Sequence, residues 1–159
     1  MSISIDIPGR DSYRIENIVF DLNGTLTTDG RLENRTRELL QQLSKKVFLY
    51  ILTADTQNSA SRLQNELGEA VNVTVLEGSS TAAAKRKFIQ EKNPVYTAAV
   101  GNGVNDMEML EEAALSIAVI GKEGCYPGLF SKADLVVNHI DNAIEMFLWP
   151  RRIKATLRG

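Results

Sequence analysis

The stretch Val19-Phe20-Asp21-Leu22-Asn23-Gly24-Thr25-Leu26-Thr27 decides how the rest of the sequence is interpreted. Ile18, Val19 and Phe20 form a short apolar run typical of a buried strand, and this run ends at Asp21. The polar residues that follow predict a tight turn. Open α/β sheets bind their ligands beyond the carboxyl ends of the strands. We therefore expect Asp21 to lie at a strand end where a ligand can reach it.

Helices and strands alternate downstream of this stretch. One face of a helix near 33–44 is lined at helical spacing by Leu32, Thr36, Leu39, Leu40 and Leu43. Further helices are predicted near 57–67, 80–91, 105–114 and 141–148, and further strands at 47–52, 71–76, 95–100, 117–120 and 134–137. The strands are continuously apolar, which is typical of a sheet covered on both faces. The pattern predicts an α/β fold with a doubly wound, mostly parallel Rossmann-like sheet and helices on both faces.

Upstream of the stretch, residues 2–7 alternate between polar and apolar, and Pro8-Gly9 closes them with a turn. Residues 13–16 can pair back on this segment, so we expect a small N-terminal β-hairpin. No linker or low-complexity segment interrupts the chain. We expect one domain over residues 1–150, followed by a basic C-terminal tail at 151–159.

Composition and charge restrict the function. The chain has 159 residues, of which 43% are hydrophobic and 24% charged, and its net charge is −2, which argues against a general nucleic-acid binder. The tail is the exception, because it contains four basic residues and no acidic one: Arg151, Arg152, Lys154 and Arg158. It is interpreted either as a solvated, partly disordered end or as a contact for a subunit or an anionic partner.

Cys125 is the single cysteine, so no internal disulfide can form and a reducing compartment is expected. No apolar run approaches the roughly 18 residues of a membrane span, and no secretory pattern opens the chain. These features predict a soluble, cytoplasmic protein without a membrane partner.

Polar residues cluster at the predicted carboxyl ends of three strands, as Asp21/Asn23, Thr53/Asp55 and Asn102/Asn105/Asp106. Lys85 joins them from the start of a helix, where it shares the sheet-facing side with Phe88 and Ile89. A lysine on that side needs an anionic partner, unless it only extends its amine to solvent. Such a set suits phosphoryl transfer: a carboxylate can attack phosphorus, oxygen ligands can hold Mg²⁺, and a hydroxyl, backbone amides and a lysine can bind the phosphoryl oxygens.

In their order, these motifs resemble those of the haloacid dehalogenase superfamily. The matching segments are Asp21-Leu-Asn23-Gly-Thr-Leu, Thr53, Lys85 and Gly101-Asn-Gly-Val-Asn105-Asp106. Within the superfamily, the Thr-Leu-Thr ending, Leu52-Thr53-Ala54-Asp55 and the last motif most resemble the phosphorylation domain of P-type ATPases. The resemblance covers residues from about 17 to 137.

The resemblance implies a role for each matching position. Asp21 would be the nucleophile and a metal ligand, and the main-chain carbonyl of Asn23 a second ligand. Thr53 and Lys85 would bind the phosphoryl group, together with the main chain at Ala54 and the side chain of Asn105. Asn102 and Asp106 would complete the Mg²⁺ site.

Two positions depart from the phosphatase pattern that the resemblance brings with it. Where family phosphatases have a general acid/base Asp, this chain has Asn23, which cannot exchange a proton; that role is worth roughly 10²–10⁴ in rate. Asn102 stands where the family usually has a metal-binding Asp, so Mg²⁺ affinity should fall. Both changes predict slow chemistry, or none.

The intervals from Leu26 to Thr53 and from Thr53 to Lys85 are filled by the predicted helices and strands, so neither a cap domain nor a nucleotide-binding domain fits there. An open site suits a phosphorylated small molecule or macromolecule, or a homo-oligomer in which a neighbouring subunit covers it. Three other residues are expected outside the chemistry: Asp55 as a turn or helix N-cap residue rather than a substrate contact, His139 as a connection residue, and Trp149 packing the last helix, unless it contacts a subunit.

Together these features predict a capless, Mg²⁺-dependent phosphoryl hydrolase that acts slowly through an aspartyl phosphate on Asp21. The alternative is a phosphate- and Mg²⁺-binding regulatory protein with little or no turnover.

Overall fold

A computed structural model describes the whole chain, residues 1–159. Six parallel strands form the main sheet, in the order β5-β4-β3-β6-β7-β8, and β1 and β2 form a separate antiparallel hairpin. The strands are β1 (Ile3–Ile5), β2 (Tyr13–Ile15), β3 (Asn17–Asp21), β4 (Phe48–Thr53), β5 (Asn72–Val75), β6 (Thr97–Gly101), β7 (Leu115–Val119) and β8 (Leu135–Val137). The helices are α1 (Asn34–Leu43), α2 (Gln57–Leu67), α3 (Thr81–Glu91), α4 (Met107–Glu112), α5 (Ile140–Leu148) and α6 (Arg151–Leu157).

Helices cover both faces of the sheet because successive strand residues point to opposite sides. On β3, Ile18 and Phe20 pack into the larger core, which also holds the apolar sides of α1, α2 and α5. Val19, between them, packs into the smaller core with Ile89 of α3 and Met109 of α4. The predicted doubly wound fold and the N-terminal hairpin are both confirmed, and no cap domain interrupts the sheet.

The strand order places Asp21 at the topological switch point. From β3 the chain continues to β4 on one side, and it later returns through β6 on the other side of β3. The crossover helices diverge at such a point, and a crevice opens beyond the strand ends. Asp21 ends β3, Thr53 ends β4 and Gly101 ends β6, so the three motif-bearing strands are adjacent and end at the same edge.

The element boundaries after β6 are shifted by two residues. A helix was expected near 105–114, but a 3₁₀ turn occupies Val104–Asp106 and α4 itself begins at Met107. Asp106 causes the shift, since its carboxylate accepts the N–H groups of Asn102 and Gly103 and holds the chain in a tight turn. Strand β7 correspondingly begins at Leu115, two residues before the predicted start.

The basic C-terminal segment is ordered as α6, so the expectation of a partly disordered end is wrong. Ile153 is fully buried in the larger core and fixes the helix against the body. Trp149, just before α6, is 47% exposed, and the Arg152 guanidinium lies 5.0 Å from its ring centroid. The division into a domain at 1–150 and a tail stays a prediction. Among the six helices, none combines the length and the apolar character needed to cross a membrane.

Candidate active site

Asp21 lies at the centre of the site and is 8% exposed. Its Oδ1 accepts a hydrogen bond from Lys85 Nζ at 2.7 Å, and its Oδ2 lies 3.1 Å from the Thr25 hydroxyl. Burial raises the pKa of Asp21 to about 6, and the nearby Asp106 charge adds to this, while Lys85 acts in the opposite direction. At neutral pH the group is mostly ionised, which is the state a nucleophile requires.

Lys85 comes from the sheet-facing side of α3, as its spacing with Phe88 and Ile89 predicted. It is 1% exposed, and its ammonium also donates to Asp106 Oδ1 at 2.8 Å. Burial alone would lower the pKa of Lys85, but the Asp106 and Asp21 charges outweigh burial and raise it. The alternative in which this lysine merely extends to solvent is therefore wrong: Lys85 is a fixed, buried cation.

Asp106 is fully buried, and both of its carboxylate oxygens are in use. Oδ1 accepts from Lys85, and Oδ2 accepts the backbone N–H groups of Asn102 and Gly103, each at 3.0 Å. A Cβ on Gly101 would lie only 2.5 Å from the Asp106 side chain, so the strand must end in glycine for this carboxylate to fold back. These contacts make Asp106 the partner that positions Lys85, and its predicted role as a metal ligand stays a prediction.

The Thr25 hydroxyl links the first and last motifs. Thr25 Oγ1 lies 3.1 Å from Asp21 Oδ2 and 3.0 Å from Asn102 Oδ1, and the Asn102 amide donates in turn to the Gly124 carbonyl. Gly24, at φ +79°, leaves room for this amide, since a Cβ there would lie 2.7 Å from Asn102 Nδ2. The role of Thr25 was not predicted, although its place in the Asn-Gly-Thr turn next to Asp21 is the signal for it.

Donors without partners surround the Asp21 carboxylate on the side of β4. Thr53 is buried at the end of that strand, and its oxygen accepts the Asp55 N–H at 3.0 Å, which leaves its own proton available. The N–H groups of Asn23 and Ala54 donate to no protein acceptor. Three donors near the end of β4 are thus without a protein acceptor, and the phosphate-binding role of Thr53 and Ala54 stays a prediction. Asn105 is exposed beside this region and makes no side-chain hydrogen bond to the protein.

The Asn23 side chain points towards Asp55, and its amide donates to Asp55 Oδ2 at 3.1 Å. Thr56, and not Asp55, caps α2, because the Thr56 side chain accepts the Ser59 N–H. Of the two expected roles of Asp55, the helix N-cap is therefore wrong, whereas the residue does lie in the bend before α2. A carboxylate on the loop after β4 instead faces the position where the superfamily pattern has its second aspartate.

Two residues singled out by their rarity have structural roles. His139 Nδ1 accepts the Asp141 N–H at 3.0 Å and caps α5. Glu33, His139 and Asp141 lie close together, but the side chains of Glu33 and His139 are exposed and His139 Nδ1 already accepts the Asp141 N–H, so the cluster is explained by the helix cap. Burial, followed by the Asp106 charge, raises the pKa of the Cys125 thiol, so it stays protonated.

The residues around Asp21 fit Mg²⁺. Asp21 Oδ2 and Asn102 Oδ1 both lie at hydrogen-bonding distance from the Thr25 hydroxyl, so two oxygens of the kind that Mg²⁺ prefers lie close to one another. Two carboxylates and one lysine leave the buried centre with one uncompensated negative charge. A hard cation with a preference for oxygen suits this set, since Mg²⁺ is usually held by one or two carboxylates together with water and substrate oxygens.

Comparison with known sequences gives a short relative that matches half of this chain and much longer proteins of which this chain spans a small part. No family model matches the chain. An uncharacterized protein of Methanocaldococcus jannaschii is 40% identical over 83 residues, which cover 50% of this chain and 89% of that protein. The copper-transporting ATPase PAA1, chloroplastic, of Arabidopsis thaliana is 27% identical over 158 residues, covering 93% of this chain but 16% of that protein. The phospholipid-transporting ATPase neo1 of Schizosaccharomyces pombe is 32% identical over 96 residues, covering 57% of this chain and 9% of that protein.

Solved structures share the fold over most of the chain. A 3-deoxy-D-manno-octulosonate 8-phosphate phosphatase from Moraxella catarrhalis, in complex with magnesium and phosphate ions, superposes with a TM-score of 0.70 at 18% identity, covering 89% of this chain and 90% of that one. The cobalt-bound form of the corresponding Haemophilus influenzae phosphatase gives a TM-score of 0.70 at 15% identity, with 91% and 94% coverage. At this identity the likeness concerns the fold.

Proposed function

We propose that this chain belongs to the haloacid dehalogenase superfamily, in its capless form, and that it is a Mg²⁺-dependent phosphoryl hydrolase that acts through an aspartyl phosphate on Asp21. The proposal rests on the groups that surround the Asp21 carboxylate. It lies at the switch point, fixed by Lys85 and Thr25, with the free donors of Thr53 and Ala54 next to it. A nucleophile, a buried cation and unpaired donors at one strand edge suit a phosphoryl group.

Asp21 attacks the phosphorus of a phosphomonoester, the ester P–O bond breaks, and the alcohol leaves with its bonding electrons and takes a proton from water. Lys85, the Thr53 hydroxyl and the Ala54 N–H bind the phosphoryl oxygens, with Asn105 assisting from the surface. Water then attacks phosphorus, the bond to Asp21 breaks and phosphate leaves. Lys85 holds its position throughout, because Asp106 anchors it from the other side.

Asp21, the Asn23 main-chain carbonyl and Asn102 would hold Mg²⁺, with Asp106 as the further predicted ligand. When bound, Mg²⁺ neutralises the repulsion between the carboxylate and the phosphate.

Turnover is slow in this proposal because Asn23 neither donates a proton to the leaving alcohol nor removes one from the attacking water. General acid/base catalysis is worth roughly 10²–10⁴ in rate. A regulatory protein that binds phosphate and Mg²⁺ with little turnover is the second candidate. The Asn23–Asp55 hydrogen bond favours this second candidate, because the bond fixes an amide at the position where family phosphatases have the general acid/base aspartate.

An aryl phosphate assay with Mg²⁺ tests the proposal. We expect weak hydrolysis by the unmodified protein, loss of that hydrolysis in Asp21→Asn, and no change in a control, Asp11→Asn, whose aspartate lies in the N-terminal hairpin connection. Acid quenching of the reaction should trap phosphate on the protein but not on the Asp21→Asn variant. Binding of Mg²⁺ and phosphate without turnover in any variant selects the regulatory candidate, and absence of Mg²⁺ binding contradicts both.

The setting of the activity is also proposed. The substrate is a phosphorylated small molecule or macromolecule, since no cap covers the crevice. In a homo-oligomer, a second subunit would cover the open side of the site. A cytoplasmic location stays a prediction.

A further inference from the structure

A groove beside the catalytic centre has no role in the chemistry described so far. It has a volume of about 360 Å³ and begins at Asn23 and Asp55. Three of its ten lining residues are apolar, and one wall is formed by residues of α2. The remaining lining residues are Leu22, Thr27, Gly30, Leu32, Ser59, Arg62, Leu63 and Glu66. A volume of this size is in the range of small-molecule sites.

The polar wall has a regular origin in the sequence. Ser59, Arg62 and Glu66 are separated by three and four residues, which places them along one side of α2. Asp55 precedes them at the helix start and accepts the Asn23 amide. The groove therefore extends from the predicted metal and leaving-group position along the helix.

Only one cation along this wall is free. Glu66 pairs with Arg37 from α1, so the acid at the far end of the groove is neutralised. Arg62 makes no ion pair and no side-chain hydrogen bond with the protein. It lies three residues beyond Ser59 on α2, or about 4.5 Å along the helix axis. Its guanidinium can bind a carboxylate or a phosphate through two parallel hydrogen bonds.

We propose that this groove binds the part of the substrate that leaves as the alcohol, and that this part is a small polyhydroxylated chain ending in an anionic group that Arg62 binds. The Asp55 carboxylate and the Ser59 hydroxyl accept hydrogen bonds from the hydroxyl groups between the two charged ends. The proposal rests on the proposed phosphoryl hydrolase activity and specifies its substrate: a phosphomonoester with a second negative charge several bonds from the phosphate.

A matched pair of compounds tests this assignment. 6-Phosphogluconate and sorbitol 6-phosphate have the same six-carbon hydroxylated chain and differ at the end far from the phosphate, where one has a carboxylate and the other a hydroxymethyl group. We expect kcat/KM to favour 6-phosphogluconate by roughly tenfold or more, the range of one charge-assisted contact. Arg62→Ala should reduce this ratio to near one and Arg62→Lys should retain part of it, while Arg151→Ala, an exposed arginine on α6, should leave the ratio unchanged.

Binding measurements test the role of the groove independently of the hydrolysis reaction. Calorimetric titration of both compounds into the Asp21→Asn variant, with and without Arg62→Ala, measures the same preference without turnover. An Arg62-dependent preference in binding supports the groove assignment, even where no phosphate is released and the proposed hydrolysis therefore fails. Equal affinity for the two compounds, or a preference that survives Arg62→Ala in a variant with an unchanged circular dichroism spectrum, overturns the groove assignment, whatever the rate of hydrolysis.

Discussion

Replacement of Lys85 by methionine tests the electrostatic arrangement on which the site depends. The lysine is 1% exposed, and its ammonium lies 2.7 Å from Asp21 Oδ1 and 2.8 Å from Asp106 Oδ1. Methionine retains most of the apolar stem but leaves two buried carboxylates together without a cation. Removing one partner of a buried ion pair costs about 3–5 kcal/mol. We expect Lys85→Met to lower the free energy of unfolding by this amount at pH 8.

Urea denaturation followed by circular dichroism at pH 8 and pH 5 measures the effect. The loss should shrink at pH 5, because the pKa of Asp21, already about 6 beside Lys85, rises further without the lysine and the group becomes protonated. Lys87→Met is the matched control on the same helix: Lys87 is 75% exposed and lies 4.0 Å from Glu91, so the change should stay within about 0.5 kcal/mol. A loss below about 1 kcal/mol at pH 8, or an equal loss at both pH values, would refute the reasoning.

Three further predictions concern the same centre. The folded-state pKa of Asp21 (about 6) lies above the value of 3.8 for an unperturbed aspartate, so the native state binds the proton more tightly and the free energy of unfolding falls as pH rises between these values. Asp21→Asn should remove this fall, worth about 2 kcal/mol between pH 4 and pH 7, in denaturation curves at those two pH values. Gly101→Ala should destabilise the protein by about 1–3 kcal/mol in thermal or urea unfolding, because its Cβ would lie 2.5 Å from the Asp106 carboxyl carbon. Asn23→Asp should raise aryl phosphate turnover only modestly at pH 8, since the new carboxylate would face Asp55 at the present hydrogen-bonding distance of 3.1 Å with a repulsion of about 1–3 kcal/mol; adding Asp55→Asn should release the larger gain, and equal rates in the single and double variants would contradict this.

The charge balance of the centre connects these predictions with the proposed function. One lysine serves two carboxylates, and Asp106 also receives two backbone N–H groups, so its charge is well compensated. The uncompensated charge therefore belongs to Asp21, as its raised pKa indicates. An ionised, poorly compensated carboxylate is reactive, and its burial lowers the free energy of unfolding. We expect a cation bound at this site to recover part of that stability.

The order of the motifs was sufficient to predict the fold and the edge of the sheet at which the candidate residues meet. Apolar strand runs ending in Asp21, Thr53 and Gly101 predict a parallel sheet, and parallel strands bring their carboxyl ends to one edge. The spacing of Lys85 from Phe88 and Ile89 placed the lysine on the sheet-facing side of its helix, and this inference needs only the periodicity of a helix. These predictions depend only on local patterns and on the handedness of crossovers, so a single sequence contains them.

Tertiary structure alone decided which polar groups meet. Thr25 and Asn102, and likewise Asn23 and Asp55, come from loops after different strands, and their contacts depend on sub-ångström loop geometry that residue spacing does not specify. The sequence by itself determined that a carboxylate would end the central strand with a lysine, a threonine and two amides nearby. The packing of the loops decided that Asp106 holds Lys85 and that Asp55 faces Asn23, because a hydrogen bond depends on the positions of atoms, whereas periodicity specifies only the side of an element on which a residue lies.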